Sequence, residues 1–323
     1  MKYITAKTDY GEKETFERWN GKFLDESSYD EIVKVTDEDV AIMKLGISLD
    51  GSDIPLAYVI TNAFPDNRVR NILASIEDTT TMRANCSGPI DHEEMRSKGL
   101  IEGEHYKLRT NNSYYVRTAS DKWGMIAYAN EIHSVLIGYK RGRFTGTIGP
   151  SGWTKDHPEE FEILKEISKY NEKAFDKATS IVYNKQRKFA EEYIRSEHRM
   201  GIFTAYSANR YHAGQSEKMS AHIDSGDTKF GMTTMCVFRD GSFGGAFLTF
   251  PRYRIAIDAP DNSVVIADSR QVHGVTPITG NGQRFSCVAY CDNGLATMGV
   301  AGKSERKIGR FAKNEIGNLE EFI

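Results

Sequence analysis

Two histidines and one aspartate have the residue types and the spacing of a metal site. His222 and Asp224 stand in an H-x-D tripeptide, and His273 follows 49 residues after the aspartate. Two imidazoles and one carboxylate on one face of an octahedral iron leave the opposite positions open, which is the ligand set of non-heme Fe(II) oxygenases. The tripeptide alone is a weak signal, because the chain has eight histidines and 45 acidic residues that can also be ordinary core or surface residues.

One arginine follows the second histidine at a position that suits an anionic co-substrate. Arg284 lies 11 residues after His273, and a guanidinium binds a carboxylate through two hydrogen bonds without losing its charge. We expect it to bind the 5-carboxylate of 2-oxoglutarate. Ser286, on the same face of the same strand, can add a hydroxyl hydrogen bond. Asn209 is expected either to contact the co-substrate or to hold the strand before the triad.

Short strand-like segments surround these residues. They are rich in β-branched and aromatic residues and are bounded by Gly, Pro, Asn and Asp, which is typical of an all-β sandwich or barrel. They lie at 230–238, 243–250, 253–257, 263–267 and 285–291. His222 precedes the first segment and His273 follows the fourth, as expected when a double-stranded β-helix (jelly roll) presents metal ligands. Asp268 and Ser269 are candidate hydrogen-bond partners of His273, with a turn cap as the alternative for Asp268.

Helical periodicity appears mainly before this region. Residues 158–170 place apolar side chains on one stripe and begin with Pro-Glu-Glu, which suits a first helical turn. Further helices are predicted at 12–19, 125–137 and about 185–194, and a strand at 114–116. The fold class predicted is α+β: a double-stranded β-helix (jelly-roll) core braced by α-helices.

The composition indicates an intracellular globular protein. The chain has 323 residues, of which 39% are hydrophobic, and no run of about 18 apolar residues predicts a membrane span. The N-terminal residues lack an apolar signal core, so secretion is not expected. The four cysteines have no zinc-ligand spacing and are interpreted as buried thiols of a reducing compartment. We expect a cytoplasmic location, which includes a phage protein acting in its host cell.

The charge gives no global signature of nucleic-acid binding. The net charge is −3 and the pI is near 6.3, so a surface that binds phosphates must be local. Basic residues cluster at 140–143, at 185–188, at Arg252 with Arg254, and in the tail 301–323. Each cluster is also compatible with an ordinary solvated surface. Lys307 and Arg310 make the tail the strongest candidate for salt-sensitive phosphate contacts.

Several motifs together resemble a known family. They are Phe203-Thr204 with Asn209, His222 to Asp227, Gly241 to Gly245, Phe250 to Arg254, Asp268-Ser269, His273-Gly274, Thr276 to Ile278, and Arg284 to Tyr290. Residues 201–291 resemble the TET/J-binding-protein family of Fe(II)/2-oxoglutarate-dependent nucleic-acid 5-methylpyrimidine dioxygenases, in a compact phage- or protist-type form. The resemblance is dense over these residues, looser over 142–196, and absent from the first 80.

The resemblance implies a function, cofactors and a partner. The cofactors are Fe(II), 2-oxoglutarate and O2, and the partner is DNA with a base flipped into the site. The reaction is oxidation of the 5-methyl group of a pyrimidine base in DNA, 5-methylcytosine to 5-hydroxymethylcytosine and beyond. The alternatives are oxidation of thymine to 5-hydroxymethyluracil, and a small-molecule or protein hydroxylase on the same scaffold. A non-enzymatic β-barrel binding module with structural His and Asp residues is the third hypothesis.

The resemblance also implies which residues contact the base. Asp227 stands where TET proteins have Asn and J-binding proteins have Asp; its carboxylate can accept from thymine N3–H or from the cytosine 4-amino group. Tyr290 is a candidate wall of the pocket, with core packing as an equal alternative. Asp292 stands where TET proteins use a base-contacting His. Tyr211 is a candidate for stacking.

The predicted organisation has three parts. Residues 1–80 form an N-terminal cap or extension, and residues 81–300 form the dioxygenase domain with its helical support and a catalytic core at 201–291. Residues 301–323 form the basic tail. The oligomeric state is left open.

Overall fold

The computed structural model describes residues 1–46, 55–76, 88–110, 113–128, 133–141, 147–213, 219–228 and 231–296. Within these ranges the strands are β1 (Lys2–Thr5), β2 (Glu31–Lys34), β3 (Val40–Met43), β4 (Ala57–Ile60), β5 (Tyr106–Thr110), β6 (Ser113–Arg117), β7 (Trp123–Tyr128), β8 (His133–Arg141), β9 (Ile148–Pro150), β10 (Ala205–His212), β11 (Thr233–Gly245), β12 (Leu248–Phe250), β13 (Ile255–Asp258), β14 (Ser263–Ala267), β15 (Gly274–Val275) and β16 (Ile278–Tyr290). The α-helices are α1 (Glu12–Trp19), α2 (Arg68–Ser75), α3 (His92–Ser97), α4 (Gly152–Asp156), α5 (Pro158–Ala178), α6 (Ser180–Tyr193) and α7 (Asn293–Ala296).

Nine strands form the larger sheet, in the order β1-β3-β4-β14-β11-β16-β10-β8-β9. Its centre is the long antiparallel pair of β11 and β16, which runs from Thr234 opposite Ala289 to Gly245 opposite Ile278. The sequence predicted an interruption near residue 240, but β11 continues through it. Gly241 has a φ of 76°, and a Cβ there would lie 2.8 Å from the carbonyl oxygen of Asn281. The glycine therefore allows the close backbone approach that keeps the two strands paired.

Four strands form the smaller sheet, in the order β15-β12-β13-β2. One hydrophobic cluster joins the two sheets, with Phe250 and Ile257 from the smaller sheet and Val237 and Val265 from the larger one. Residues 1–80 supply strands to both: β2 pairs with β13, and β1, β3 and β4 extend the larger sheet. The domain boundary predicted at residue 80 remains a prediction. The four strands before it belong to the same two sheets as the later strands.

Helices cover the other face of the larger sheet. Phe161 and Leu164 of α5 and Phe189 of α6 are buried in one cluster with Cys236 and Ile266 of the sheet, so the predicted bracing of the β-core is confirmed. Helix α5 begins at the predicted Pro158 and continues to Ala178, beyond the predicted end at 170. The extension follows from the apolar stripe, which continues through buried residues in the last two turns.

Strands β5, β6 and β7 form a separate three-stranded antiparallel sheet. The strand predicted at 114–116 lies within β6 and is confirmed, whereas the helix predicted at 125–137 is wrong. The described residues there belong to strands β7 and β8. In β8, Val135 and Ile137 face the helical cluster while Leu136 between them lines a cavity. The side chains therefore alternate with the period of two that defines a strand.

Three of the four cysteines fit the sequence prediction. Cys236, Cys287 and Cys291 are buried free thiols, and Cys86 lies outside the described residues. The basic tail at 301–323 also lies outside them. In the part of the chain that the structure describes, no helix is both long and apolar enough to cross a membrane.

Candidate iron and co-substrate site

The structure brings the three predicted metal ligands together. His222 Nε2 lies 3.7 Å from Asp224 Oδ1, and His273 Nε2 lies 3.7 Å from Asp224 Oδ2. The histidines are held side by side because each donates its backbone N–H to the carbonyl oxygen of the other, at 2.8 and 3.0 Å. Among the described residues, these three form the one group of His, Cys, Asp and Glu side chains that can hold a metal ion.

Hydrogen bonds to backbone carbonyls orient both imidazoles. Nδ1 of His222 lies 2.9 Å from the carbonyl oxygen of Ser220, and Nδ1 of His273 lies 2.9 Å from that of Gln271. A carbonyl oxygen only accepts, so each Nδ1 carries the proton and each Nε2 keeps its lone pair for a metal. Burial and the neighbouring His222 lower the pKa of His273, which favours the neutral, metal-binding form. Since metal–ligand distances are about 2.1 Å, ligand atoms up to about 4 Å apart can share an ion, and this donor set fits a divalent metal.

Polar side chains hold the loop that carries His273. Gln271, whose carbonyl orients the imidazole, accepts a hydrogen bond from Arg252 Nη1 at 3.0 Å and donates to Asp268 Oδ2 at 3.2 Å. Arg252 is itself paired with Asp9 at 2.7 Å. The loop is therefore tied to the N-terminal segment through Arg252, an arrangement that residue spacing did not indicate.

Asp268 and Ser269 do not bond to His273. Asp268 pairs with Lys44 at 2.7 Å and with Arg270 at 3.0 Å. Burial alone would raise the pKa of Asp268, but these two cations hold it below its ordinary value. The carboxylate therefore stays ionised in the loop behind the ligand, and the prediction that it receives the imidazole N–H is wrong, because the Gln271 carbonyl already does so.

Arg284 is a buried cation on β16, two residues before Ser286. Arg284 is 2% exposed, and in the described part of the chain it has no carboxylate partner. Among the residues that the structure describes, its Nη1 has no hydrogen-bond acceptor, and its Nη2 contacts Met235 Sδ at 3.5 Å. Burial lowers the pKa of Arg284 to about 10, so the side chain is charged at neutral pH. An unpaired buried guanidinium is a receptor for an anion.

The neighbours of Arg284 are the other predicted co-substrate residues. In the antiparallel register of β10 and β16, Asn209 stands opposite Ser286 and Tyr211 stands opposite Arg284. Asn209 donates from Nδ2 to the Ser207 carbonyl at 3.3 Å. The guanidinium lies 6.0 Å from the centre of the Tyr211 ring. Tyr211, predicted as a base-stacking residue, is therefore placed at the anion-receptor end instead.

A cavity of about 560 Å³ lies between the two sheets and contains the triad. Side chains from both sheets line it, and its polar members besides the triad are Lys140, Ser207, Asn209, Tyr211, Ser225, Asp227, Thr233, Ser269, Ser286, Tyr290 and Asp292. All the predicted metal ligands, co-substrate residues and base-contacting residues except Arg284 thus line one cavity. Arg284 lies behind Tyr211 and Met235, both of which are lining residues.

Asp227 is fixed by two hydroxyl groups near the triad. Thr233 Oγ1 and Ser269 Oγ both donate to Asp227 Oδ2, each at 2.7 Å. Burial, together with the charges of Asp224 and Asp292, raises the pKa of Asp227 to about 7. A carboxyl group with this pKa is present in both protonation states near neutral pH, so it can donate as well as accept.

The predicted base-contacting residues lie beside Asp227. Asp292 forms a backbone bridge with Asp227, and its N–H donates to Thr204 Oγ1 at 2.9 Å. Burial raises the pKa of Asp292 above its ordinary value. Tyr290 follows Val288 on the cavity face of β16. Asp227, Asp292 and Tyr290 therefore form one group at the end of the cavity opposite to Arg284.

Three polar residues that line the cavity, Ser207, Thr233 and Lys140, were not predicted as site residues. Thr233 and Ser207 were missed, although the alternation along β10 and β11 places them on the same face as Asn209 and Met235. Lys140 was considered only as part of a basic surface cluster. The signal that identifies these residues is the period of two in each strand, read outward from residues already assigned to the site.

Comparisons with known proteins bear on the fold. The sequence matches no protein-family model and no curated protein. Among solved structures, NgTET1 in complex with 5mC DNA is similar with a TM-score of 0.50 and 10% identity, over 88% of this chain and 90% of that one. The viral collagen prolyl hydroxylase vCPH from Paramecium Bursaria Chlorella virus-1 in its 2OG complex has a TM-score of 0.34 and 12% identity, over 72% and 94%. An oxidoreductase of the 2OG-Fe(II) oxygenase family from Burkholderia pseudomallei has a TM-score of 0.30 and 12% identity, over 69% and 89%.

Fold and site together define a class of enzyme. The likeness to NgTET1 establishes a shared fold and, at 10% identity, nothing more. The triad in this chain adds a two-histidine, one-carboxylate ligand set in a cavity, which is the arrangement of non-heme Fe(II) oxygenases. Fold and ligand set together are those of a non-heme Fe(II) oxygenase.

Proposed function

We propose that the chain is an Fe(II)/2-oxoglutarate-dependent oxygenase, with O2 as the oxidant, and that it oxidises the 5-methyl group of a pyrimidine base in DNA, with 5-methylcytosine converted to 5-hydroxymethylcytosine. The observation that carries the proposal is the position of Asp227. The Asp227 carboxyl group lines the same cavity as the metal ligands; hydroxyl groups anchor its Oδ2, and its Oδ1 has no hydrogen-bond partner among the described residues. Such a group suits the hydrogen-bonding edge of a pyrimidine, which presents N–H donors and ring acceptors.

The two ends of the cavity suit two different ligands. At the closed end we assign Arg284 to the 5-carboxylate of 2-oxoglutarate, with Ser286, Asn209 and Tyr211 as neighbouring contacts. Met235 Sδ is a weak acceptor, so a carboxylate replaces it readily beside the guanidinium. At the other end Asp227, Tyr290 and Asp292 surround the position of the base. His222, Asp224 and His273, which would hold the iron, line the same cavity as both groups of residues.

The bound cofactors supply the oxidant, and the protein positions the co-substrate and the base. With Fe(II) present, oxidative decarboxylation of 2-oxoglutarate to succinate and CO2 by O2 leaves one oxygen atom for insertion into the methyl C–H bond. The apolar walls, including Leu248, Phe250 and Val288, exclude water from the reacting methyl group. A cavity of about 560 Å³ is within the usual range for ligand sites.

The base has to leave the double helix to reach this cavity. The triad lies between two sheets, where a stacked base cannot enter, so we propose that the target nucleotide is flipped out. Unstacking costs roughly a few kcal/mol, which contacts to the flipped base offset. We further propose that the two packed sheets are those of a double-stranded β-helix and that the chain belongs with the TET/J-binding-protein group.

The test is oxidation of DNA that contains both thymine and 5-methylcytosine. The enzyme is incubated with Fe(II), 2-oxoglutarate and air, the DNA is digested, and the nucleosides are weighed by mass spectrometry. We expect a gain of one oxygen atom on 5-methyl-2′-deoxycytidine, and none with the His222→Ala variant. Oxygen gained on thymidine alone selects the thymine alternative. Succinate formed without any oxidised nucleoside rejects DNA as the substrate and favours a hydroxylase of proteins or small molecules.

A further inference from the structure

We infer that Lys140 binds a backbone phosphate of the flipped nucleotide at the mouth of the cavity. The inference rests on the proposed DNA substrate and adds the residue that recognises the strand. Among the described residues that line the cavity, Lys140 is the one lysine or arginine. It is exposed, so its ammonium group stays hydrated and accessible while its stem lines the opening.

The position of Lys140 assigns it to the substrate end of the cavity. Strand β8 runs beside β10, with Ser134 opposite Asn209 in the co-substrate region. Lys140 lies six residues further along β8, which corresponds to about 20 Å of strand. It is therefore too far from Arg284 and its neighbours to contact the 5-carboxylate of 2-oxoglutarate.

Hydrogen bonds connect this part of β8 to the base-contacting group. Tyr139 donates its N–H to the Thr204 carbonyl at 3.0 Å, and Thr204 donates its own to the Tyr290 carbonyl at 2.9 Å. The Thr204 hydroxyl accepts from the Asp292 N–H at 2.9 Å. Lys140 is thus one residue from a backbone network that holds Tyr290 and Asp292, on the cavity-facing side of its strand.

A cation at the mouth offsets the acidic side chains at the substrate end of the cavity. Asp227 and Asp292 line that end, and in their ionised forms they repel a phosphate that has to follow its base toward the opening. Lys140 has no acidic partner within ion-pairing distance among the described residues, whereas Lys44 and Lys177 are each paired with an aspartate. Its charge is therefore available for a phosphate.

The test measures how DNA affinity depends on salt. A fluorescent duplex that contains one 5-methylcytosine is titrated with the full-length wild-type protein and with Lys140→Ala, Lys140→Arg and Lys173→Ala at increasing NaCl. Each phosphate contact contributes about 0.9 to the slope of log K against log salt. Between 50 and 200 mM salt the wild-type affinity is thus expected to fall about 3.5-fold more than that of Lys140→Ala.

The control variants separate a contact from a general charge effect. Lys173 is an exposed lysine of α5, in the helical layer on the other face of the larger sheet, and its replacement removes the same charge. We expect Lys173→Ala and Lys140→Arg to keep the wild-type slope. Equal slopes for the wild type and Lys140→Ala, in a protein that does oxidise the duplex, overturn the phosphate contact alone. A wild type that neither binds nor oxidises the duplex overturns the DNA substrate as well.

Discussion

Replacing Arg284 by Met is expected to stabilise the ligand-free protein while abolishing its response to 2-oxoglutarate. Arg284 is 2% exposed and has no carboxylate partner in the described residues. Burial lowers its pKa from 12.5 to about 10. One pKa unit corresponds to about 1.4 kcal/mol, so the buried charge costs roughly 3 kcal/mol at neutral pH. Methionine has a similar length, leaves little cavity, and removes that cost.

The protonation of Arg284 determines how its cost to stability depends on pH. Because the folded-state pKa of Arg284 is depressed, the charged form is disfavoured in the folded protein, and the penalty is complete at every pH below about 10. Binding of the 2-oxoglutarate carboxylate offsets the cost of burying the charged guanidinium. At a concentration of 100 times its Kd, 2-oxoglutarate adds about 2.7 kcal/mol to the free energy of unfolding of the wild type. It is expected to add nothing to Arg284→Met.

The assay is urea unfolding at pH 7, with and without 2-oxoglutarate, in anaerobic Fe(II) buffer. Arg239→Met is the matched control, because Arg239 stands opposite Arg284 on β11 but is paired with Asp258 at 2.6 Å. Its replacement leaves a carboxylate unpaired and should lower the free energy of unfolding. The reasoning is refuted if the two variants lose stability equally, or if 2-oxoglutarate still stabilises Arg284→Met.

Three further predictions concern the triad and its surroundings. His222→Ala should lose Fe(II) binding, measured by anaerobic titration, with the far-UV spectrum of the wild type; retained iron affinity would contradict the ligand assignment. Arg252→Met frees Gln271 from its side-chain donor and should weaken Fe(II) binding roughly tenfold without loss of fold; unchanged affinity would show that the backbone alone holds the loop. Asp227, with its pKa raised to about 7, binds a proton in the folded metal-free protein that the unfolded chain releases. The free energy of unfolding should therefore fall as pH rises from about 4 to 7, and Asp227→Asn should flatten that profile.

The local part of the site could be predicted from the sequence. Residue types identified His222, Asp224 and His273, and the alternation of a strand placed Arg284 and Ser286 on one face. These inferences need only the period of a strand and the chemistry of each side chain. Burial of Arg284 without a counter-ion strengthens the assignment, but it depends on which strands surround β16 and is not visible in the sequence.

Contacts between residues that are far apart in the sequence could not be predicted. Arg252 reaches Asp9 across 243 residues and Asp268 pairs with Lys44 across 224, distances over which residue spacing carries no information. The helix predicted at 125–137 is wrong because tertiary pairing decided the conformation: β8 is hydrogen-bonded to β10 along the edge of the larger sheet. Propensity is a weak guide where a neighbouring strand offers a complete set of backbone partners.

The choice of base follows from which oxygen of Asp227 remains available. Thr233 and Ser269 both donate to Oδ2, so Oδ1 is the atom left for a pyrimidine. An ionised Oδ1 accepts from thymine N3–H or from the 4-amino group of 5-methylcytosine, whereas a protonated Oδ1 donates to the unprotonated N3 of 5-methylcytosine alone. Burial raises the pKa of Asp227, so its preference should change at the pH at which it ionises in the iron-loaded enzyme. The ratio of oxidised 5-methylcytosine to oxidised thymine, measured on one mixed duplex, is therefore expected to fall as pH rises through that point. Asp227→Asn, which offers an N–H donor at every pH, should keep the ratio constant and in favour of 5-methylcytosine; a wild-type ratio that does not respond to pH would place the recognition of N3 on another residue.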